Sequence, residues 1–155
     1  ECVFIGKYIQ LADNAARLVQ AFPQRYRMLG ELPNEETLRY LASADAYVLA
    51  SYSESQPLTI WEAFELEVPV CLSDLETYRH IGLQHGRNAL IHPVGSIELL
   101  ASNLRMFLTN EELKRNITRA GKSLLLKNLT RDWADEFERI VYRAQAQASI
   151  RQMGY

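Results

Sequence analysis

The sequence predicts an α/β fold, a Rossmann-like open sheet of about five parallel strands flanked by helices. Three observations predict it. Short apolar runs alternate with amphipathic stretches along most of the 155 residues. The runs Ala46–Leu49 and Val68–Leu72 are apolar without polar alternation, which marks strands buried on both faces. Residues that start and stop helices punctuate the segments between the runs.

Val3–Ile5 reads as a first strand, ending at Gly6. Asp13–Phe22 carries Ala15, Leu18, Val19 and Phe22 at helical spacing; Asp13 is placed to cap it and Pro23 to stop it. Tyr26–Leu29 is a second strand, closed by Gly30. Asn34 opens the next helix as a side-chain cap, followed by Thr37, Leu38, Tyr40 and Leu41. Asp45–Ala50 is a buried strand, Ser51–Gln56 a polar loop, and Pro57–Glu65 a helix, because proline suits a first turn. Val68–Leu72 is another buried strand. Asp74–Gln84 holds a short helical turn and Ala89–Ile91 a small strand. Ser96–Leu108, Glu111–Leu126 and Arg131–Ala146 read as three further helices. No repeat or linker interrupts the series, so residues 1–155 form one domain.

Composition narrows the function classes. Hydrophobic residues make up 48% of the chain, as in globular domains. The net charge of -2 argues against a nucleic-acid partner. No apolar run approaches the roughly 20 residues of a membrane span, and no signal peptide opens the chain. Cys2 and Cys71 lie in apolar runs and read as two buried thiols, which suits a reducing cytoplasm. A core strand that begins at the first residue, with no initiator methionine, predicts a piece of a longer polypeptide.

In an open α/β sheet, ligands bind at the carboxyl ends of the strands. The segment leaving the strand that ends at Ala50 reads Ser51-Tyr52-Ser53-Glu54-Ser55-Gln56-Pro57-Leu58-Thr59-Ile60-Trp61-Glu62-Ala63. Here a loop turns into a helix start, whose unpaired N–H groups and positive dipole end suit a diphosphate. Leu58 and Thr59 can donate such N–H groups; Pro57 has none. Glu54 precedes the helix and Glu62 lies more than one turn inside it. Helical side chains lean toward the amino end, so Glu62 can reach what the helix start holds. A carboxylate takes two vicinal hydroxyls, as on a ribose. Each glutamate alone also fits a solvated surface role. Lone histidines at 80, 85 and 92 read as surface or capping residues.

This segment resembles the donor-site motif of retaining glycosyltransferases with two facing Rossmann-like domains, the GT-B fold of family 4 type. Ser51, Glu54, Leu58, Glu62 and Ala63 match the motif's Ser, Glu, Leu, Glu and Ala. Ser55 and Pro57 stand where it has glycines. The resemblance extends to Met28-Leu29-Gly30, Asn34-Glu35-Glu36-Thr37-Leu38, Ala44-Asp45-Ala46-Tyr47-Val48-Leu49, Pro69-Val70 with Ser73-Asp74, and Asn88-Ala89-Leu90-Ile91 with Pro93. It covers roughly residues 26–141.

The resemblance implies the C-terminal, donor-binding half of such an enzyme, working in polysaccharide or glycoconjugate biosynthesis. Glu62 would bind the ribose of the donor nucleotide and Glu54 the transferred sugar. Ser55, Gln56, Pro57 and Leu58 would surround the sugar. Leu58 and Thr59 would face the diphosphate, and Gly30, Glu31 and Leu32 would lie against the base. No metal or other cofactor is implied. The acceptor, a glycan or lipid, would belong to an N-terminal domain absent from this chain, as would any membrane association. The family's Arg-Lys pair for the diphosphate has no match here; Lys7 follows the first strand in a different context. His80 stands where many members have Glu. Arg131-Asp132-Trp133 resembles the start of the family's last helix.

Three alternatives stay open. A dinucleotide oxidoreductase would want Gly-x-Gly-x-x-Gly after a strand, which the sequence lacks. A phospho-accepting receiver would want an Asp at a strand's carboxyl end, whereas Asp45 precedes its strand. A non-catalytic Rossmann-like nucleotide-binding or scaffold module would keep the fold alone.

Overall fold

The computed structural model describes residues 1–7, 12–55 and 57–129. The helix expected over 131–146, with Trp133, lies outside them. The elements run β1 (Cys2–Phe4), α1 (Ala12–Ala21), β2 (Tyr26–Met28), α2 (Asn34–Ala42), β3 (Tyr47–Leu49), α3 (Leu58–Glu65), β4 (Val70–Ser73), α4 (Glu76–His80), β5 (Leu90–His92), α5 (Ile97–Thr109) and α6 (Glu111–Leu129). Their order follows the apolar pattern. β2, β3 and β4 are shorter than their apolar runs, which also span the turns into or out of the ladder, while β1 and β5 are shifted by one residue.

Every strand pairing is parallel, as expected where helices connect the strands. The five strands form two ladders, β1-β2 and β3-β4-β5. One open sheet was the expectation; apolar runs report burial but not which strand pairs with which. β4 is central to its ladder and buried along its whole length, whereas β1 is only half-buried.

The main core lies between the three-stranded ladder, α3 and α6. Ile60, Ala63 and Phe64 of α3 pack with Val70, Leu72 and Leu125. α6 crosses α3 closely at Gly121, where the Phe64 ring occupies the space of a side chain. The ammonium of Lys122 hydrogen-bonds the Glu65 carbonyl at 2.9 Å and pairs with its carboxylate at 2.8 Å, a cation at the negative end of α3. A second core on the other face joins Cys71, Leu90, Phe107 and Ile117.

α3 ends in a Schellman motif: Val68 N–H donates to Ala63 O and Glu67 N–H to Phe64 O. Its left-handed residue is Glu67, φ 58°, where glycine is usual. α4 ends the same way with Gly82, φ 91°, in that place. The first of these stops keeps the connection to β4 short.

Three expectations are corrected. Asn34 does not cap α2; Pro33 holds the cap position at φ -54°, ψ 147°, with no side-chain cap. A cap residue needs extended backbone, which the ring of Pro33 already favours, so Asn34 falls into the first turn. Cys2 is exposed, as the first residue of β1 at the edge of its element, while Cys71 is buried in the central strand β4; both thiols are free. His92 is 2% exposed rather than on the surface, since it ends β5 beneath α5. Its Nδ1 lies 3.0 Å from Pro93 O, and its Nε2 has no hydrogen-bond partner. His80 is exposed, and His85 accepts a hydrogen bond from Ile91 N–H at 2.9 Å.

Candidate donor site at the start of helix α3

The site is built where β3 hands over to α3. Within the loop, Ser51 Oγ donates to Glu54 Oε1 at 2.6 Å, so a residue three positions earlier fixes the carboxylate. From α4, Thr77 Oγ1 donates to the backbone carbonyl of Glu54 at 3.0 Å. Glu54 is thus held at both its side chain and its backbone, and it is half-buried rather than fully solvated.

At the helix tip, Ile60 N–H returns to Pro57 O at 3.1 Å. The N–H groups of Leu58 and Thr59 have no hydrogen-bond partner among the described residues. Pro57 is buried, whereas Thr59 is exposed and Leu58 is 59% exposed, so these donors open to solvent. Tyr47 donates its hydroxyl to Thr59 Oγ1 at 2.8 Å and ties β3 to the same tip.

Tyr47 also reports where the two glutamates stand. Burial pushes its phenol up from the usual value, and the charges of Glu54 and Glu62 push it further. Both carboxylates therefore act on one phenol, at one end of the sheet. Tyr78 of α4 feels the same field. Its phenol is pushed up to about 12, by burial first and then by Glu54 and Tyr47. Glu62 itself is half-buried.

Glu54 thus stands in the loop before α3, Leu58 and Thr59 at the helix start, and Glu62 further along the same helix. Ser55 is exposed in the loop beside them, and Gln56 lies outside the described residues. Gly30, Glu31 and Leu32 form the turn at the carboxyl end of β2, in the smaller ladder; Gly30 has φ 72° and its carbonyl accepts from Gly6 N–H. Lys7 follows β1 and is exposed. Arg79, two residues beyond Thr77, is bound through two nitrogens to the Asp74 carboxylate at 2.5 and 3.1 Å.

The neighbours Tyr47, Thr77 and Tyr78 were not singled out as site residues. The last two sit more than 20 positions from Glu54, and no local pattern in the sequence links them to it. A depression of about 500 Å³ lies elsewhere, on α2 between Pro33, Glu36, Arg39 and Tyr40. Another of about 480 Å³ runs along α6 by Lys114, Arg115, Arg119 and Lys122.

The model of the glycosyl transferases group 1 matches residues 2–124, from β1 to well within α6. The chain belongs to this family. Among relatives of this glycosyl transferase group 1 chain, TuaC of Bacillus subtilis (strain 168) is 46% identical over 46 residues, 30% of this chain and 12% of its own. The alpha-galactosylglucosyldiacylglycerol synthase of Streptococcus pneumoniae (strain ATCC BAA-255 / R6) is 29% identical over 123 residues, 74% of this chain and 28% of its own. The chain therefore spans well under a third of the curated relatives it matches. Anabaena Alr3699/HepE, solved in complex with UDP and glucose, superposes with a TM-score of 0.69 at 16% identity. That match covers 93% of this chain and 40% of HepE, and it establishes the GT-B type of Rossmann-like fold.

Proposed function

We propose that this glycosyl transferase group 1 chain is the nucleotide-sugar-binding half of a retaining, family 4 type enzyme. The whole enzyme would transfer a sugar to a hydroxyl acceptor in polysaccharide or glycoconjugate biosynthesis. The observation that carries the reading is Glu54, held by Ser51 at its carboxylate and by Thr77 at its carbonyl, just before an α3 start whose Leu58 and Thr59 N–H groups have no partner among the described residues. Glu62 takes the ribose hydroxyls and Glu54 a hydroxyl of the sugar. Ser55, Gln56, Pro57 and Leu58 surround that sugar. The N–H groups of Leu58 and Thr59, at the positive end of the helix, receive the diphosphate as charge builds on the leaving oxygen. Gly30, Glu31 and Leu32 flank the base. The solved HepE complexes with UDP and UDP-glucose support a uridine donor.

In this reading the chain contributes positioning and leaving-group stabilisation, without a metal. The two carboxylates oppose the diphosphate, and the nearby Arg79 is already committed to Asp74. Cations from a second domain complete the charge balance, and that domain also binds the glycan or lipid acceptor. The free thiols suit the cytoplasm; among the described residues no helix is long and apolar enough to cross a membrane.

Calorimetry of the chain against UDP, GDP and ADP tests the reading. One nucleotide binds, weakly because half the cleft is missing. Glu62→Ala weakens it about tenfold, the worth of one charged hydrogen-bonding group. Glu35→Ala on α2 leaves it unchanged. Equal effects from the two substitutions would remove the assignment.

A further inference from the structure

Short helix α4 reaches the candidate site from 23 positions along the chain. Its Thr77 hydroxyl holds the Glu54 carbonyl at 3.0 Å. Its next residue, Tyr78, is 1% exposed and lies under the loop. The Tyr78 hydroxyl interacts with Ser51, the residue that donates to Glu54 Oε1, yet it completes no well-formed hydrogen bond. A buried hydroxyl left short of a partner is costly, and native folds keep few of them. Here the shortfall lies at the end of a row of hydroxyls that leads to Glu54. The Schellman stop at Gly82 anchors α4, with Leu83 N–H donating to Tyr78 O at 3.0 Å.

We propose that α4 is a positioning element for Glu54: Thr77 pins the backbone of that residue while Tyr78 backs the Ser51–Glu54 pair. The carboxylate is then set in place before the donor sugar arrives. The row can close as Tyr78 O–H to Ser51 Oγ and Ser51 O–H to Glu54 Oε1, which leaves Glu54 Oε2 free for a sugar hydroxyl. Neither Thr77 nor Tyr78 touches the ligand; both act through Glu54. This rests on the donor-site reading above and deepens it. It predicts a selective effect, because Glu54 meets the sugar while the nucleotide is held by Glu62 and the tip of α3.

The test compares UDP with UDP-glucose on the 155-residue chain, for wild type, Thr77→Val, Thr77→Ser and Tyr78→Phe. The valine variant keeps shape and removes the hydroxyl, the serine restores it, and the phenylalanine keeps the buried ring. Thr77→Val and Tyr78→Phe should each weaken UDP-glucose about tenfold, as expected for a carboxylate no longer held in place, and UDP by less than twofold. Thr77→Ser should restore wild-type affinity. Equal losses for both ligands, no loss for either, or a serine that fails to rescue would overturn the proposal. If Thr77→Val does not fold, Tyr78→Phe carries the same comparison. A wild-type chain that binds neither ligand would instead sink the donor-site reading, and this proposal with it.

Discussion

The Tyr47 hydroxyl donates to Thr59 Oγ1 across 2.8 Å, joining the first residue of β3 to the first turn of α3. Twelve residues separate the two, and between them lies the whole loop that carries Glu54. The bond closes that loop at its base.

The two ends of this bond are not equivalent. Tyr47→Phe removes the donor and leaves an exposed threonine that water can satisfy. It should cost about 1 kcal/mol in urea unfolding. Thr59→Val removes the acceptor and leaves the half-buried phenol without one, a cost of about 1–3 kcal/mol. A Thr59→Val variant as stable as Tyr47→Phe, or more so, would contradict this reading.

Gly121 is required by the approach of α3 rather than by its backbone. A Cβ there would stand 2.5 Å from two atoms of the Phe64 ring. Alanine favours a helix over glycine by about 1 kcal/mol, but overpacking a core costs about 1–3 kcal/mol. Gly121→Ala should therefore destabilise. The double variant Gly121→Ala with Phe64→Leu should recover part of the loss, because the clash is removed. Denaturant midpoints of the three variants decide this; a stabilised Gly121→Ala would show that the ring moves freely.

Burial raises the Tyr78 phenol from 10.0 to about 12 and the Cys71 thiol from 9.0 to about 11. In each case the folded state keeps a proton that the unfolded chain releases. The associated stability is whole below pH 9 and declines as pH rises through the window from 9 to 12. The melting temperature should hold up to about pH 9 and fall above it. Tyr78→Phe should make the fall shallower. Phenolate absorbance should show Tyr78 ionising only together with unfolding, and its ionisation in the intact fold near the ordinary tyrosine value would refute the assignment.

Much of the fold was legible in the chain. The apolar run through Ala46–Leu49 became β3, although it is half-buried with Val48 exposed rather than covered on both faces, and the proline before Leu58 marked the start of α3 within one residue. The spacing of Glu54 and Glu62 across that start was also readable, because helix geometry turns sequence distance into direction. Less legible were features decided by neighbours. Asn34 lost its capping role to the proline beside it. His92 looked like a surface residue, and became buried because α5 covers the end of β5. Cys2 looked like core, and is exposed as the first residue of β1.

The sequence by itself determined the alternation of strand and helix, and the placing of Glu54 in the loop and Glu62 in the helix on either side of the start of α3. These depend on local backbone chemistry and periodicity, which act over a few residues. Only the tertiary structure decided that the described strands divide into two ladders, that Phe64 rests on Gly121, and that Thr77 holds the Glu54 carbonyl. These join residues tens of positions apart, and the packing of helices on the sheet, not any local preference, brings them into contact.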